Sequence, residues 1–264
     1  MKVSIITVSF NNAKTIIDTL ASVAAQTHPQ IEHIVIDGAS TDNTVELVKQ
    51  FGKHVSWLIS EPDTGIYEAM NKGLALAQGE LIGFLNADDM YADVGAVAAI
   101  VAAANQSGAA AVYGDLIYVR AHEVKSAVRV WRSQRPGPNG LRFGWMPPHP
   151  TLYVRSNAMR ALGGFNTSYR ISADYEFILR CFGNPDMTSQ YIPRVLVKMR
   201  TGGASNKSLS ALWRKSNEDL RALRASGVGG LATLFCKNVR KLPQFFRQAP
   251  RQTATDPEAW PKQE

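Results

Sequence analysis

The sequence predicts an α/β protein with a mostly parallel central sheet flanked by helices. Three observations carry that reading. Short apolar runs alternate with helical patterns along the first part of the chain, each run ends in a cluster of polar residues, and a chain of 264 residues with 45% hydrophobic content can build a sizeable core. Its length suits one or two domains.

The elements follow in order. Val3 to Phe10 is rich in β-branched residues and reads as a buried strand; Ile16, Ile17, Leu20 and Val23 then mark one face of a helix from about Ala13 to Ala25. Ile31 to Ile36 is a second strand, closed by Asp37-Gly38. Ser40-Thr-Asp42 suits the cap of a helix running to Phe51, and Val55 to Ile59, Ile66 to Gln78 and Glu80 to Leu85 read as strand, helix and strand. Such βαβ pacing implies parallel strands with ligands beyond their carboxyl ends. After a helix near Val94 to Ala104 come strands at Ala110 to Val119 and Lys125 to Trp131, and a Pro/Gly loop from Arg135 to Gly140. A strand at Thr151 to Val154, helices at Ser156 to Leu162 and Ala173 to Phe182, and a strand at Tyr191 to Met199 follow. Ser208 to about Gln248 reads as two helices split by Gly227 to Gly230.

Charge divides unevenly. The chain carries +7 in all, but residues 1–115 hold 5 Lys+Arg against 13 Asp+Glu, whereas residues 116–220 hold 16 against 6. A basic chain raises nucleic acid as a partner; an acidic first half without a basic-aromatic motif argues against it. Cys181 and Cys236 are too few and too far apart for a disulfide framework or a structural zinc site, which fits a reducing cytosol. No segment reads as a signal peptide or membrane span, so cytoplasmic residence is expected.

Carboxylates cluster at strand ends. Asn86-Ala87-Asp88-Asp89 follows an apolar strand, and Asp37 and Asp63 close two others, so all would converge on one rim. Like charges brought together call for a cation, and hard divalent metals take oxygen ligands. A strand-terminal turn with Asp89 capping the next helix is the alternative use of the same residues.

Four segments in order resemble a family. They are Val3-Ser-Ile-Ile-Thr-Val-Ser-Phe-Asn-Asn12, Ile34-Val-Ile-Asp-Gly-Ala-Ser-Thr-Asp-Asn-Thr44, Glu61-Pro-Asp-Thr-Gly-Ile-Tyr-Glu-Ala-Met-Asn-Lys-Gly73 and Gly79-Glu-Leu-Ile-Gly-Phe-Leu-Asn-Ala-Asp-Asp89. Together they resemble the inverting family 2 glycosyltransferases with the GT-A nucleotide-sugar fold, especially those of bacterial exopolysaccharide assembly. The resemblance implies a GT-A domain over residues 1–205, with a nucleotide-sugar half at 1–115 and an acceptor half at 116–205, followed by a basic helical extension at 206–264.

Carried onto this chain, the resemblance assigns Thr7, Val8 and Ser9 to the floor of the nucleotide pocket. Asp37 would accept from a base N3–H, which favours uracil; Asp63 would lie beside base and ribose; Asn71 and Lys72 would face the diphosphate. Asn86, Ala87 and Asp88 would contact the donor, with Mg²⁺ or Mn²⁺ held through Asp88 and more weakly Asp89. Asn86 stands where the family usually has a first Asp.

Ser172-Ala-Asp174 opens a helix at the position of the family's general base. A sugar hydroxyl becomes a good nucleophile only as its proton leaves, so Asp174 would be the base that removes it. Glu176 and Arg180, spaced i,i+4, read as a helix pair. His149, in a Pro-flanked loop, would line the sugar or acceptor pocket or pack beside Trp145, and Gly164 would belong to the loop before the acceptor site. The Arg-Trp motif of processive synthases is absent, which favours transfer of a single sugar. The expected partners are a nucleotide-sugar donor and a glycan acceptor, such as a polyprenyl-diphosphate-linked one. Leu231, Leu234, Phe235, Val239, Leu242, Phe245 and Phe246 recur among Lys237, Arg240, Lys241 and Arg247, a pattern that suits either an anionic membrane surface or packing on the core. A membrane contact would make the protein peripheral on the cytoplasmic face of the inner membrane. A sugar-nucleotide pyrophosphorylase and a non-catalytic binding module are the competing classes; the first should carry a Gly-rich triphosphate loop, which Phe10-Asn-Asn-Ala-Lys14 is not.

Overall fold

The computed structural model describes residues 1–137, 139–202 and 209–246. Gly203 to Ser208, the side chains of Phe245 and Phe246, and Arg247 lie outside the described residues.

Strand β1 (Val3–Ser9) is buried along its whole length because it pairs in parallel with β2 (Ile31–Asp37) on one side and β4 (Leu81–Phe84) on the other. A strand covered on both faces needs a continuous apolar run, and Val3, Ile5, Ile6 and Val8 supply it. β3 (Val55–Ser60) extends the parallel block beyond β2. The chain therefore moves outward from β1 to β3 and returns to the opposite side of β1 as β4. That reversal opens a crevice at the carboxyl ends of β1 and β4, where ligands of such sheets bind. Helices α1 (Ile16–Ala24), α2 (Thr44–Phe51) and α3 (Ile66–Leu76) make the crossovers.

The sheet continues through β8 (Tyr153–Arg155), which is antiparallel to β4, then β6 (Ala111–Arg120) and β9 (Ser189–Arg200), which are parallel to each other. β7 (Glu123–Trp131) pairs antiparallel with β6. Across the nine-stranded sheet, β1, β2, β3, β4, β6 and β9 run one way, and β5, β7 and β8 the other. The seam between β4 and β8 is tight: a methyl added at Gly83 would enter the Tyr153 ring, whose hydroxyl meets that of Tyr91.

Two elements differ from expectation. Met90–Tyr91 forms β5, a two-residue strand too short to carry a sequence pattern, and it pairs with Lys198 and Val197 of β9. Thr151 belongs to a 3-10 turn at His149–Thr151, so β8 starts two residues later than the apolar run. The charge boundary at residues 115 and 116 falls inside β6 and is not a structural break. Helices α4 (Ala96–Ser107), α5 (Ser156–Leu162) and α6 (Ala173–Gly183) complete the layers, and α7 (Leu209–Ala225) sets Ala222 and Leu223 into the main core beside α6. α8 (Leu231–Val239) and α9 (Pro243–Phe246) follow, with Pro243 opening α9.

His33 of β2 is fully buried between Thr7 Oγ1 (2.9 Å) and the stacked ring of His54, and burial followed by the charge of His54 depresses it to about 3. A base with a folded pKa below its unfolded one stabilises fully above the unfolded value and loses that stabilisation as pH falls toward the folded one. Urea unfolding from pH 7 to pH 4 should therefore show a loss that sets in near the ordinary histidine range. His33→Gln should flatten it by up to about 1.4 kcal/mol per pH unit; an unchanged slope would contradict the assignment.

Candidate active site

Parallel register sets Ser9 beside Asp37 at the strand ends. The fully buried Asp37 carboxylate accepts from Ser9 Oγ (2.9 Å), Ser60 Oγ (2.8 Å), Ser40 Oγ (2.5 Å) and the Ser40 N–H (2.8 Å), so one side chain gathers the ends of β1, β2 and β3. Both loops beyond are stitched together. Asn11, in the left-handed region at φ 55°, donates its N–H to Ser40 Oγ (2.8 Å) and accepts the Thr41 N–H on its amide oxygen (2.9 Å). This leaves Phe10 with 61% of its surface exposed at the rim. Asp63 approaches the same place: a Cβ on Gly38 would lie 2.6 Å from its Oδ2. Thr7, Val8 and Ser9 are all buried here, with the Thr7 hydroxyl turned to His33.

The Asn86 to Asp89 turn is held from three directions. The Thr19 hydroxyl donates to the Asp89 carbonyl (2.7 Å), Arg200 donates its Nη1 to the Asp88 carbonyl (2.9 Å), and the Arg200 side chain also pairs with Asp18. Asp89 is fully buried, and its carboxylate accepts from the Arg200 N–H (3.3 Å) and the Asn86 amide (3.5 Å); burial and the neighbouring Asp88 charge push it well above the usual carboxylate range. Asn86 Oδ1 is buried without a hydrogen-bond partner, and Asp88 is only half-buried. An amide oxygen with no donor and a carboxylate two residues on are the hard oxygen donors that Mg²⁺ or Mn²⁺ takes. Asp89, expected as a further ligand, instead points into the core, because a strand-end carboxylate enclosed by N–H donors is better satisfied there. Among the described residues no group of three or more His, Cys, Asp or Glu could hold a metal, so an ion here would rest on Asp88, Asn86 and groups of the donor.

Asn71 and Lys72 differ from the expected role. The Asn71 amide exchanges two hydrogen bonds with the Phe165 backbone (2.8 and 2.9 Å), and Gly164, at φ +73°, has no side chain to obstruct it. Lys72 is spent on Glu61 (2.9 Å), Glu68 (3.3 Å) and the Pro62 carbonyl (3.0 Å). Arg180 pairs with Glu176 (2.7 Å), as the spacing predicts, and also donates to the Gly164 carbonyl (2.7 Å).

Asp174 lies in the first turn of α6, half-buried. The Tyr67 hydroxyl stands 3.1 Å from its Oδ1 and 2.6 Å from the Ile171 carbonyl; burial, reinforced by the Asp174 charge, keeps that phenol protonated and able to donate. Glu218 of α7 accepts the N–H groups of Arg170 (3.1 Å), Ile171 (2.8 Å) and Ser172 (3.0 Å), which fixes the start of the helix. His149 is buried, stacked on Phe84 (5.9 Å) and edge-on to Phe165 (5.6 Å); burial lowers its pKa against the pull of Asp174, so it is neutral near pH 7. The rings of Tyr67, Phe165, His149 and Phe84 thus run from Asp174 to the end of β4, two residues before Asn86. Burial raises the Tyr118 phenol of β6, the Arg129 guanidinium opposes that rise, and the charges of Asp89 and Asp174 add to it.

Tyr67 was legible as part of the Asp63 to Gly73 segment but not as a partner of Asp174. Arg200 and Glu218 act on residues far away in sequence and leave no local pattern. Phe10 gives one signal, a large aromatic residue at the end of a strand.

A mostly parallel α/β sheet with a switch-point crevice and acidic residues at its strand ends is built to take a ligand there. Residues 4–164 match the family "Glycosyl transferase family 2", and the chain belongs to that family. It is 31% identical over 208 residues to a PGL/p-HBAD biosynthesis glycosyltransferase of Mycobacterium bovis, covering 77% of this chain and 78% of that one. In structure it is similar to S. aureus TarS 1-349 in complex with UDP-GlcNAc, with TM-score 0.66, 17% identity and coverage of 86% of this chain and 66% of the other. It is also similar to the mannosyltransferase PcManGT of Pyrobaculum calidifontis in complex with GDP-Man and Mn²⁺, with TM-score 0.63, 20% identity and coverage of 93% and 73%. These two likenesses show the GT-A-type fold.

Removing the acceptor of three N–H bonds should loosen the start of α6. Glu218→Ala is expected to cost about 1–3 kcal/mol in denaturant unfolding. An unchanged midpoint would show that the cap contributes nothing.

Proposed function

We propose that this protein transfers a single sugar, with inversion, from a nucleotide-diphosphate sugar to a hydroxyl of a glycan or lipid-linked oligosaccharide during assembly of a bacterial surface or exopolysaccharide. The observation that carries this is the setting of Asp174: a carboxylate 3.1 Å from the Tyr67 hydroxyl, at the start of an element whose leading segment is held by Glu218.

Asp174 takes the proton from the acceptor hydroxyl as that oxygen attacks the anomeric carbon on the face opposite the diphosphate. Tyr67 holds the carboxylate toward the acceptor, and the neutral His149 walls the sugar pocket. On the donor side the exposed Phe10 offers an aromatic face to the nucleobase, and Asp37 accepts its N3–H in place of one serine hydroxyl, which selects uracil. Asp63 lies beside the ribose. Asp88 and Asn86 hold Mg²⁺ or Mn²⁺; such an ion supplies Lewis-acid stabilisation of the departing diphosphate. Support for a metal comes from the partnerless Asn86 Oδ1 and from the Mn²⁺ in the similar mannosyltransferase. Among the described residues no helix is long and apolar enough to cross a membrane. In this reading the protein meets a lipid-linked acceptor peripherally, at the cytoplasmic face of the inner membrane.

A panel of nucleotide sugars with Mg²⁺ or Mn²⁺, read by mass spectrometry, tests this: release of UDP is expected. Asp174→Asn and Asp88→Asn should each lower transfer by about 10²–10⁴-fold with the unfolding midpoint preserved. Full activity in either variant would overturn that residue's role. Pyrophosphate exchange would point to a pyrophosphorylase, and no turnover of any donor to a non-catalytic module.

A further inference from the structure

The C-terminal helices present their faces in an unexpected order. α8 turns Leu231 (66% exposed), Phe235 (69%) and Val239 (42%) outward, while Lys237 on the opposite face is 3% exposed. Lys237 reaches Asp219 at 2.7 Å and lies 3.2 Å above the centre of the Tyr175 ring, next in sequence to Asp174. The apolar stripe is therefore not what seats the helix on the protein.

Between α8, the start of α9 and the segment from Trp131 to Met146 lies a cavity of about 210 Å³. Its lining carries Arg132, Lys237, Arg240 and Lys241, together with Trp131 and Trp145, and contains no carboxylate. Asp219 beneath it is matched by Lys237, and Asp115 is engaged with the Ser133 N–H (2.7 Å) and the Tyr191 hydroxyl (2.8 Å). Among the described residues the remaining lining cations, Arg132, Arg240 and Lys241, have no carboxylate partner. Burial, then the like charges of Lys237 and Lys215, depress Lys241 to about 8. One lining hydroxyl, Ser133 Oγ, is buried with no hydrogen-bond partner, in a residue 9% exposed. A buried donor without an acceptor beside a group of cations is the donor set that an anion would satisfy.

Exposed apolar residues adjoin the lining in the chain. Val239 and Leu242 (56% exposed) flank the lining residues Arg240 and Lys241, and Phe143 (58% exposed) precedes the lining residue Gly144, which packs against the backbone of Lys237. Lining cations with exposed apolar neighbours suit an amphiphile, with its anion in the cavity and its hydrocarbon on the adjoining surface.

We propose that this cavity binds the phosphate or diphosphate group of a lipid, with the lipid chain lying along Phe143, Val239 and Leu242. The inference rests on the transferase reading, which it deepens by giving the acceptor's lipid phosphate a seat beside the helix that carries Asp174. Ser133 donates its hydroxyl and Arg240 and Lys241 their charged N–H groups to the phosphate oxygens.

Calorimetric titration of the full chain with farnesyl diphosphate, a water-soluble lipid diphosphate, tests it, with inorganic pyrophosphate and farnesol as the other arms. Farnesyl diphosphate should bind about tenfold or more tightly than either, and Arg240→Ala/Lys241→Met should weaken it about tenfold. Ser133→Ala, which removes only the partnerless hydroxyl, should weaken it about threefold without lowering the unfolding temperature. Equal affinity for pyrophosphate would overturn the lipid assignment, equal affinity for farnesol would overturn the anion site, and unaltered binding by both variants would overturn the location. Saturating UDP should leave the affinity unchanged; displacement would mean that the probe sits in the donor crevice. A separate UDP titration reads the donor site alone, so its failure would count against the transferase reading and not against the cavity.

Discussion

Carboxylates gathered at the ends of buried strands must each be surrounded by donors, and much of this structure is arranged to supply them. An isolated buried carboxylate costs several kcal/mol, whereas one that accepts several hydrogen bonds is held in place by them. Asp37 receives three serine hydroxyls and a backbone N–H, which fixes the relative heights of β1, β2 and β3. Asp89 is met by the backbone of Arg200, at the far end of β9, so the donor-side turn depends on a strand more than a hundred residues later. Asp174 is met by Tyr67 from α3, which ties the proposed base to the same helix that follows Asp63.

The parallel block was readable because its signals are local. Val3 to Ser9 is uniformly apolar where both faces are covered, and the strand-end polar clusters fell where the crevice opens. What could not be read is long-range. β5 consists of Met90 and Tyr91 and exists only because β9 comes alongside. Asn71 and Lys72 sit in a segment whose pattern points to the donor, yet the partners that occupy them, the Phe165 backbone and Glu61, are chosen by tertiary packing. Glu218 shows the same limit: nothing around it in sequence marks it as the cap of α6.

The charge division acquires a different meaning in three dimensions. Among the acidic residues of the first half, Asp37, Asp63, Asp88 and Asp89 lie at or just beyond strand ends; Asp37 and Asp89 already have donors, and Asp88 lies half-buried in the turn. The basic residues are not spread as a solvated face; part of them converge on one cavity under an outward apolar stripe, with Lys237 buried and Phe235 exposed. The pattern of α8 allowed either packing on the core or a surface contact; the helix packs with Lys237 and Leu234 inward, where Asp219 and Tyr175 receive the Lys237 charge, and leaves Leu231, Phe235 and Val239 exposed.

The account stands on Asp174 acting as a base that directs the acceptor oxygen to the far side of the anomeric carbon. The stereochemistry of the transferred sugar reads this directly. The anomeric proton coupling of the product, followed by NMR from a donor of known configuration before any mutarotation, should show the configuration opposite to that of the donor. Retention of the donor configuration would require attack from the same face as the leaving diphosphate and would contradict the role assigned to Asp174.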